Sequence, residues 1–252
     1  MTTPDDEVST RRFSSRAADY ARFRPGYPPA AIDAILAGLP PPTALAIADV
    51  AAGTGIASRL LADRGARVIA VEPNAEMRGA AAPHAGVAFV DGTAEATGLA
   101  DATVDVVTAA QAFHWFDVPS TLREFHRILR PGGRVALLWN RRRRDDPFTL
   151  GYRAALAAID AEAPADRHHF DPAAVTQGGL FAALGESHCD NPGPLSLDEL
   201  IGRAMSTSTV PRSGPRHDTL MAALRALHAR FAGADGRATM VYRTDVFLFR
   251  RT

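Results

Sequence analysis

The stretch "DVAAGTG" (49–55) places an acidic residue directly before a turn of small residues and glycines. Gly53 and Gly55 permit a tight turn and let the backbone approach a ligand without a Cβ in the way. Glu72 closes a second apolar run, "RVIAVE" (67–72), and a carboxylate there can accept both hydroxyl hydrogens of a ribose. The turn and the carboxylate together indicate a site for a ribose-containing ligand.

Two ligand classes fit this pattern. The segment "GTGIAS" (53–58) is one residue away from the G-x-G-x-x-G/A pattern of dinucleotide-binding loops, and an acidic residue at the end of a second strand suits NAD. The other ligand is S-adenosylmethionine, a cation with an amino-acid tail and no phosphate. The loop and Glu72 do not by themselves distinguish the two ligands.

Short apolar runs and helical patterns alternate around these motifs. Strands are predicted at 45–51, 67–72, 87–91, 104–110, 134–140 and 238–251. Helices are predicted at 55–65, from Asn74 onward, and at 118–130, 146–163, 196–206 and 216–232. Strands that alternate with helices predict a parallel sheet covered on both faces, and ligands of such sheets bind beyond the carboxyl ends of the strands. Residues 164–194 are expected to form a loop-dominated cap.

Composition and charge exclude several other classes of protein. The 252-residue chain has a formal net charge of zero, and all 28 of its basic residues are Arg, so no global field draws it to nucleic acid or to an anionic membrane. The single cysteine, Cys189, excludes an intramolecular disulfide and a multi-cysteine metal site, and we expect no metal site. The polar N-terminal stretch (1–13) has no signal-peptide core, and no apolar run approaches the length of a membrane span. We therefore expect a soluble, cytoplasmic protein.

Longer runs of sequence identify the family. The run "ADVAAGTGIASRLLADRGARVIAVEPNAEMR" (48–78) resembles the first two motifs of class I S-adenosylmethionine-dependent methyltransferases. "VDGTAEATGLADATVDVVTAAQAFHWFD" (90–117) resembles the third and fourth motifs, and "EFHRILRPGGRVALLWN" (124–140) resembles the segment leading through the fifth strand. The leader "FSSRAADYARFRPGYP" (13–28) is similar to that of a small-molecule branch related to the trans-aconitate methyltransferases.

The resemblance implies a fold and a domain organisation. The fold is a Rossmann-like α/β sheet of seven mostly parallel strands, with helices on both faces, an antiparallel final strand and a small cap. One methyltransferase domain spans 1–252. Its expected parts are an N-terminal leader or lid (1–40), a cofactor-binding core (45–140), a cap or substrate region (141–195), and C-terminal helices with the last strand (196–252).

The resemblance also implies S-adenosylmethionine as cofactor and S-adenosylhomocysteine as product. Carried over by position, the cofactor-binding residues are Tyr20, Arg24, Asp49, Ala51, Gly53, Thr54, Gly55, Glu72, Pro73, Thr93, Ala94, Gln111 and Ala112. The turn from Ala51 to Gly55 would lie along the methionine portion, and Glu72 would hold the ribose hydroxyls. Pro73, Thr93 and Ala94 would border the adenine.

The remaining contacts would surround the reacting end of the cofactor. Gln111 and Ala112 would border the sulfonium and its methyl group. Tyr20 and Arg24 could fold over the cofactor, with Arg24 pairing with its carboxylate.

Two positions depart from the family pattern. Many relatives have glycine at the position of Ala51, where alanine adds only a methyl group and the turn can still form. Many also have aspartate at the position of Thr93, where it accepts a hydrogen bond from the adenine amine; threonine accepts one more weakly. Together the two changes could lower the affinity for the cofactor.

The acceptor side is read from "QAFHWF" (111–116) and Asn140. Methyl transfer needs no acid for the leaving group, and it needs a base only if the nucleophile must lose a proton. His114 is the candidate general base, with a purely structural hydrogen bond as the alternative. Phe113, Trp115 and Asn140 are candidate substrate-pocket residues, although aromatic side chains here could equally anchor the loop. The arginine run (141–144) could attract an acceptor anion, but a hydrated charge run fits it better.

We expect a methyltransferase that acts on oxygen or carbon of a small organic acceptor. One alternative is a protein of the same fold that binds the cofactor but transfers no methyl group. A nucleic-acid or protein methyltransferase fits less well, because "QAFH" (111–114) replaces the (N/D)-P-P-(Y/F) element of base-amine methyltransferases. The sequence does not predict the acceptor or the oligomeric state.

Overall fold

The computed structural model of the chain describes residues 22–159, 170–207 and 210–252. Its strands are β1 (Ala46–Val50), β2 (Arg67–Val71), β3 (Val87–Val90), β4 (Val104–Ala110), β5 (Leu129–Arg142), β6 (Phe181–Leu195) and β7 (Ala238–Arg251). Its α-helices are α1 (Pro29–Leu36), α2 (Ile56–Ala62), α3 (Ala75–Gly79), α4 (Val118–Ile128), α5 (Pro147–Ile159), α6 (Ala173–Thr176), α7 (Leu197–Met205) and α8 (Pro215–Phe231). None of the helices in these ranges is both long and apolar enough to cross a membrane.

The strands form a seven-stranded sheet in the order β3-β2-β1-β4-β5-β7-β6. Neighbouring strands from β3 through β5 are parallel, and β7 runs antiparallel to β5. This confirms the predicted fold class. Because β1 lies between β2 and β4, the chain winds outward from β1 in both directions, and the carboxyl ends of β1 and β4 flank the switch point at which such folds bind ligands.

The chain divides into two compact units. Within the described ranges, unit 1 comprises 22–25, 141–159, 190–207 and 210–243. Unit 2 comprises 26–140, 170–189 and 244–252, and therefore contains β1 to β4 with most of β5.

The core of unit 2 lies on both faces of its strands. Successive residues of β5 alternate between two apolar clusters, as side chains on a strand must. Leu138 joins one cluster with Ile32 of α1 and Leu61 of α2, whereas Leu137 joins the other with Phe125 of α4. Strand β1 is buried along its whole length, which explains why it is apolar apart from Asp49.

The core of unit 1 is built mainly from helices. Side chains of α5, α7 and α8 pack with the first half of β7, among them Tyr152, Leu200 and Leu224. Helix α7 begins with a capping box, in which Ser196 and Glu199 each accept a hydrogen bond from the other's backbone N–H. This cap fixes the start of the helix that carries Arg203.

Two local predictions were wrong. Residues 181–195 form the edge strand β6 rather than part of a loop-dominated cap. Most of its side chains are exposed or half-buried and small or polar, so it lacks an apolar pattern, and an edge strand tolerates Pro192 because one of its sides is unpaired. Strand β5 begins at Leu129 rather than at 134, since the Pro-Gly-Gly turn forms a bulge between Leu129, paired with Val104, and the next paired residue of β5.

Candidate functional site

The glycine-rich turn lies between β1 and α2 in a conformation that is unusual for non-glycine residues. Ala51, Gly53 and Gly55 all have left-handed backbone angles, with φ of 53°, 59° and 73°. Alanine in the left-handed region is strained by roughly 1 kcal/mol. The turn nevertheless forms with alanine, rather than glycine, at position 51. A Cβ built on Gly55 would lie 2.8 Å from the ring of Phe89, whereas one on Gly53 would meet nothing closer than Met77 at 4.0 Å. A side chain at 55 would therefore force the Phe89 ring to shift, whereas one at 53 would meet only the end of the Met77 side chain.

Glu72 is held beside this turn by two backbone donors. Gly53 N–H donates to its Oε2 at 2.8 Å, and Asn74 N–H donates to its Oε1 at 2.9 Å. The carboxyl group is buried, which raises its pKa, although the two N–H groups favour the charged form. A carboxylate has about four acceptor positions, so both oxygens keep the capacity to accept a further hydroxyl hydrogen.

The Asp49 side chain is buried beneath the glycine-rich turn and does not face solvent. Its oxygens accept hydrogen bonds from Ser58 of α2, at 2.5 Å, and from Thr108 of β4, at 2.8 Å. The carboxyl group is 1% exposed, and this burial raises the pKa of Asp49 to about 6 against the lowering effect of the two hydroxyl donors. Asp49 thus joins β1, α2 and β4 at the base of the loop.

The residues predicted to meet adenine follow β2 and β3 at the same edge of the sheet. Thr93 is exposed, and its hydroxyl accepts a hydrogen bond from the backbone N–H of Ala96 at 3.2 Å. Ala94 is buried, and Pro73 is exposed directly after Glu72. The Thr93 hydroxyl can still donate a hydrogen bond, unlike the carboxylate that many relatives have there.

The residues predicted to border the sulfonium follow β4. Gln111 has a left-handed φ of 61°, its backbone N–H donates to Leu138 at 2.8 Å, and its side chain donates to the Asn140 carbonyl at 3.2 Å. Ala112 is buried at the start of the 3-10 turn Phe113–Trp115. A strained, doubly anchored residue at the end of a central strand is typical of a functional site.

Asn140, a predicted pocket residue, is 9% exposed and hydrogen-bonded through its side chain. Its Nδ2 donates to the Gly26 carbonyl at 3.0 Å, and its Oδ1 accepts from Thr244 at 2.5 Å. Through these hydrogen bonds Asn140, near the end of β5, connects that strand to β7 and to the segment that precedes α1.

The aromatic residues of "QAFHWF" separate into two environments. Phe113 is 3% exposed and contacts the rings of Phe116 and Phe170 edge-on, whereas Trp115 is 59% exposed. His114 is half-buried, with its ring centroid 4.9 Å from that of Trp115. Phe113 thus anchors the loop in the hydrophobic core. Trp115 is exposed to solvent, and His114 is half-buried beside it.

The leader and the arginine run complete the predicted set. Tyr20 lies outside the described residues, and Arg24 is half-buried in unit 1. In the arginine run, Arg143 pairs with Asp145 at 2.5 Å, and Arg142 lies 5.2 Å from the ring centroid of Tyr152. The run is therefore not uniformly hydrated.

The polar groups at the carboxyl edge of β1 to β4 have the hydrogen-bonding capacity that S-adenosylmethionine would need. Glu72 offers acceptors to ribose hydroxyls, and Gly53 leaves room beside the backbone. The Thr54 hydroxyl is buried and makes no hydrogen bond to any residue that the structure describes, so it remains able to bind a polar group. No cluster of three His, Cys, Asp or Glu side chains in the described ranges is arranged to hold a metal ion.

The structure adds three residues that the sequence prediction did not include. Asn74 caps α3 and orients Glu72, and an asparagine directly before a helix is a recognisable cap signal. Ser58 and Thr108 position Asp49, but Thr108 lies 59 residues away in sequence and no local pattern signals that contact.

Comparisons with known proteins indicate a methyltransferase domain. The model of a methyltransferase domain family matches residues 48–137, which run from β1 through most of β5. An uncharacterized methyltransferase of Mycobacterium tuberculosis is 46% identical over 133 residues, which cover 52% of this chain and 52% of that protein. The ubiquinone/menaquinone biosynthesis C-methyltransferase of Rubrivivax gelatinosus is 43% identical over 95 residues, covering 36% of this chain and 38% of that protein.

A solved structure extends the likeness over most of the fold. A protein from Anaeromyxobacter dehalogenans, described as a type II methyltransferase, superposes with a TM-score of 0.68 at 27% identity and covers 91% of this chain and 97% of its own. The chain spans only about half the length of the first curated relatives that it matches. These matches show that residues 48–137 are similar to a methyltransferase domain, and that most of the chain shares its fold with a solved methyltransferase structure.

Proposed function

We propose that the protein transfers a methyl group from S-adenosylmethionine to oxygen or carbon of a small organic acceptor, with S-adenosylhomocysteine as the other product. The observation that carries this proposal is the Glu72 carboxylate, which Gly53 and Asn74 hold at the carboxyl edge of β2. The matched domain family supports the reaction class. Acceptor size and type are inferred from the sequence resemblance.

The cofactor, when bound, supplies a methyl carbon already activated by a positive sulfur. The chain's residues then have to align the acceptor and exclude water, because a neutral thioether leaves without protonation. Glu72 would accept hydrogen bonds from the ribose hydroxyls, the turn 51–55 would lie along the methionine portion, and Thr93 with Ala94 would border the adenine. Gln111 is hydrogen-bonded to the carbonyl groups of Leu138 and Asn140, and its backbone would border the sulfur.

His114 is the proposed general base for an acceptor hydroxyl. Its ring is half-buried on the loop after β4, next to the residues that border the sulfur. If it removes a proton, His114→Ala lowers kcat by about 100-fold and leaves cofactor affinity unchanged. The rates are measured with labelled S-adenosylmethionine and hydroxyl acceptors found by screening, with His217→Ala in unit 1 as control. Transfer by His114→Ala at the wild-type rate would remove the base from the proposal.

A carbon acceptor is the other candidate, and the C-methyltransferase of Rubrivivax gelatinosus supports it. An acceptor carbon made nucleophilic by a neighbouring ionised hydroxyl needs no base at the moment of transfer. Activity of His114→Ala on phenolate-like acceptors, together with its loss on alcohols, would separate these two chemistries.

Calorimetric titration with S-adenosylmethionine and S-adenosylhomocysteine tests the cofactor site. Glu72→Gln keeps the shape of the side chain but removes its charge and places an amide donor opposite a backbone N–H. We expect it to weaken both ligands on the order of 10- to 100-fold. Glu76→Gln is the matched control, because Glu76 is an exposed carboxylate four residues away. Its affinities should stay within about twofold of the wild type.

Two results would change the proposal. Equal affinity of the wild type and a folded Glu72→Gln variant would remove Glu72 from the cofactor site. Tight cofactor binding without any methylated product from a broad acceptor panel would favour the alternative of a binding protein without transfer.

A further inference from the structure

Unit 1 contains a buried group of arginines and tyrosines that the proposed transfer does not use. We name Arg142, Tyr152, Arg203 and Tyr242 the arginine–tyrosine cluster. The Arg142 guanidinium lies 5.2 Å from the ring centroid of Tyr152 and 5.9 Å from that of Tyr242. The Arg203 guanidinium lies 5.5 Å from the Tyr242 ring. Four elements of unit 1, namely the end of β5, α5, α7 and β7, therefore bring these side chains together.

Arg203 is a buried cation that forms no ion pair with a carboxylate of the described residues. It is 7% exposed, its Nε donates to the Phe23 carbonyl at 2.9 Å, and its Nη1 donates to the Tyr242 hydroxyl at 2.9 Å. No carboxylate oxygen of the described ranges lies within 4.0 Å of the Arg203 guanidinium nitrogens, the limit for an ion pair. Glu199, one turn earlier on α7, forms an ion pair with Arg237 at 2.6 Å. A buried charge is costly unless an opposite charge meets it, so this site favours an anion.

Tyr152 provides the second, independent observation. Its side chain is 0% exposed, and its hydroxyl makes no hydrogen bond to any residue within the described part of the chain. Burial raises the pKa of this phenol, so the hydroxyl stays protonated and can donate. The charges that act on it include the guanidinium groups of Arg142, Arg203 and Arg24.

The hydrogen-bonding groups of the cluster are mainly donors. Guanidinium groups only donate hydrogen bonds, and Tyr242 is already satisfied, since its hydroxyl accepts from Arg203 and donates to the Met240 sulfur at 2.9 Å. A cationic site with a free phenol donor is complementary to a group that carries negative charge and only accepts hydrogen bonds. Carboxylates and phosphates are such groups, and arginine binds both.

We propose that the arginine–tyrosine cluster binds the oxyanion group, a carboxylate or a phosphate, of a small-molecule ligand. Arg203 supplies the charge, and the Tyr152 hydroxyl donates a hydrogen bond to the anion. This proposal rests on unit 1 alone and does not depend on the proposed methyl transfer.

Calorimetric titration with inorganic phosphate and with succinate, at constant ionic strength in chloride, tests the proposal and distinguishes its two sources. Tyr152→Phe removes only the hydroxyl and leaves the ring against Arg142. Because it deletes an unsatisfied buried group, it should fold with wild-type stability or better, while its affinity for the anion falls about tenfold. Arg203→Gln should abolish binding, and Arg225→Gln, on the exposed face of α8, is the control that should bind as the wild type does.

The titrations have outcomes that support the anion site and outcomes that overturn it. Binding of phosphate only, of succinate only, or of both supports the site and names the group that it accepts, provided that Tyr152→Phe weakens it. If the wild type binds neither anion, or if Tyr152→Phe binds as tightly as the wild type, the proposal is overturned. Since Arg203→Gln removes a buried hydrogen-bonded group, its thermal unfolding is recorded, and the conclusion rests on Tyr152→Phe if Arg203→Gln does not fold.

Discussion

The Asp49 carboxyl group is buried between β1, α2 and β4, where hydroxyl donors replace water. Ser58 and Thr108 hold both of its oxygens, but neither donor carries a charge. Burial therefore outweighs the hydrogen bonds and raises the pKa to about 6. The base of the glycine-rich turn 51–55 is thus held by a group that changes charge near pH 6.

This raised pKa predicts a specific pH dependence of stability. Between about pH 4 and pH 6 the folded state holds a proton on Asp49 that the unfolded chain, with a pKa of 3.8, has released. The contribution of Asp49 to the free energy of unfolding therefore falls as pH rises, by up to about 1.4 kcal/mol per pH unit. Asp49→Asn keeps hydrogen-bonding groups at both positions and does not titrate.

Urea unfolding of the wild type and of Asp49→Asn from pH 4 to pH 7 checks this prediction. The stability of the wild type relative to the variant should decrease through the window and level off above pH 6. A difference that is constant, or that grows with pH, would contradict the raised pKa.

At this same scale, the sequence names residues that are expected to face a ligand, but it does not name the side chains that support them. Glu72, Gly53 and Gly55 follow from local pattern, because a loop between a strand and a helix has a known geometry. The anchoring of Gln111 by Leu138 and Asn140 does not, since it depends on the register of β4 against β5. Such contacts between distant parts of the chain have no local signature.

At the scale of elements, the segment 170–176 covers part of the sheet of unit 2 through one aromatic side chain. Phe170 is 9% exposed, stacks on Trp139 of β5 with ring centroids 4.5 Å apart, and contacts Phe113 and Phe247 edge-on. The loop that carries His114 therefore packs against the segment 170–176 through the contact between Phe113 and Phe170.

Phe170→Ala should lower the free energy of unfolding by about 3 kcal/mol, because it leaves a cavity among three rings. Leu184→Ala on the edge strand β6 is the control; its side chain is 44% exposed, and we expect a change within about 0.5 kcal/mol. Both are measured by urea unfolding. If Phe170→Ala and Leu184→Ala lower the free energy of unfolding by the same amount, packing of Phe170 does not stabilise the core.

Elements with a strong period were predicted closely, and those without one were not. Strand β7 was expected at 238–251 and lies there, because its alternating apolar residues face a buried surface. Strand β6 was missed, because an edge strand with one exposed face needs few apolar residues. The bulge in β5 was read as a strand boundary, since Pro and Gly signal a break more often than a bulge.

At the scale of the whole molecule, two features bear on function. The net charge is zero, which argues against the nucleic-acid substrates weighed as an alternative. The chain also has two units with separate apolar cores; the predicted cofactor-binding residues from Asp49 to Ala112 belong to unit 2, and Arg24 belongs to unit 1. The matched domain, 48–137, lies within that unit.

The most direct test of the account is a crystal structure of the protein grown with both S-adenosylhomocysteine and NAD present. We expect density for the adenosyl thioether at the turn 51–55, with the ribose hydroxyls within hydrogen-bond distance of the Glu72 carboxylate. Nicotinamide density at that turn, with a diphosphate against the start of α2 and no thioether, would contradict it.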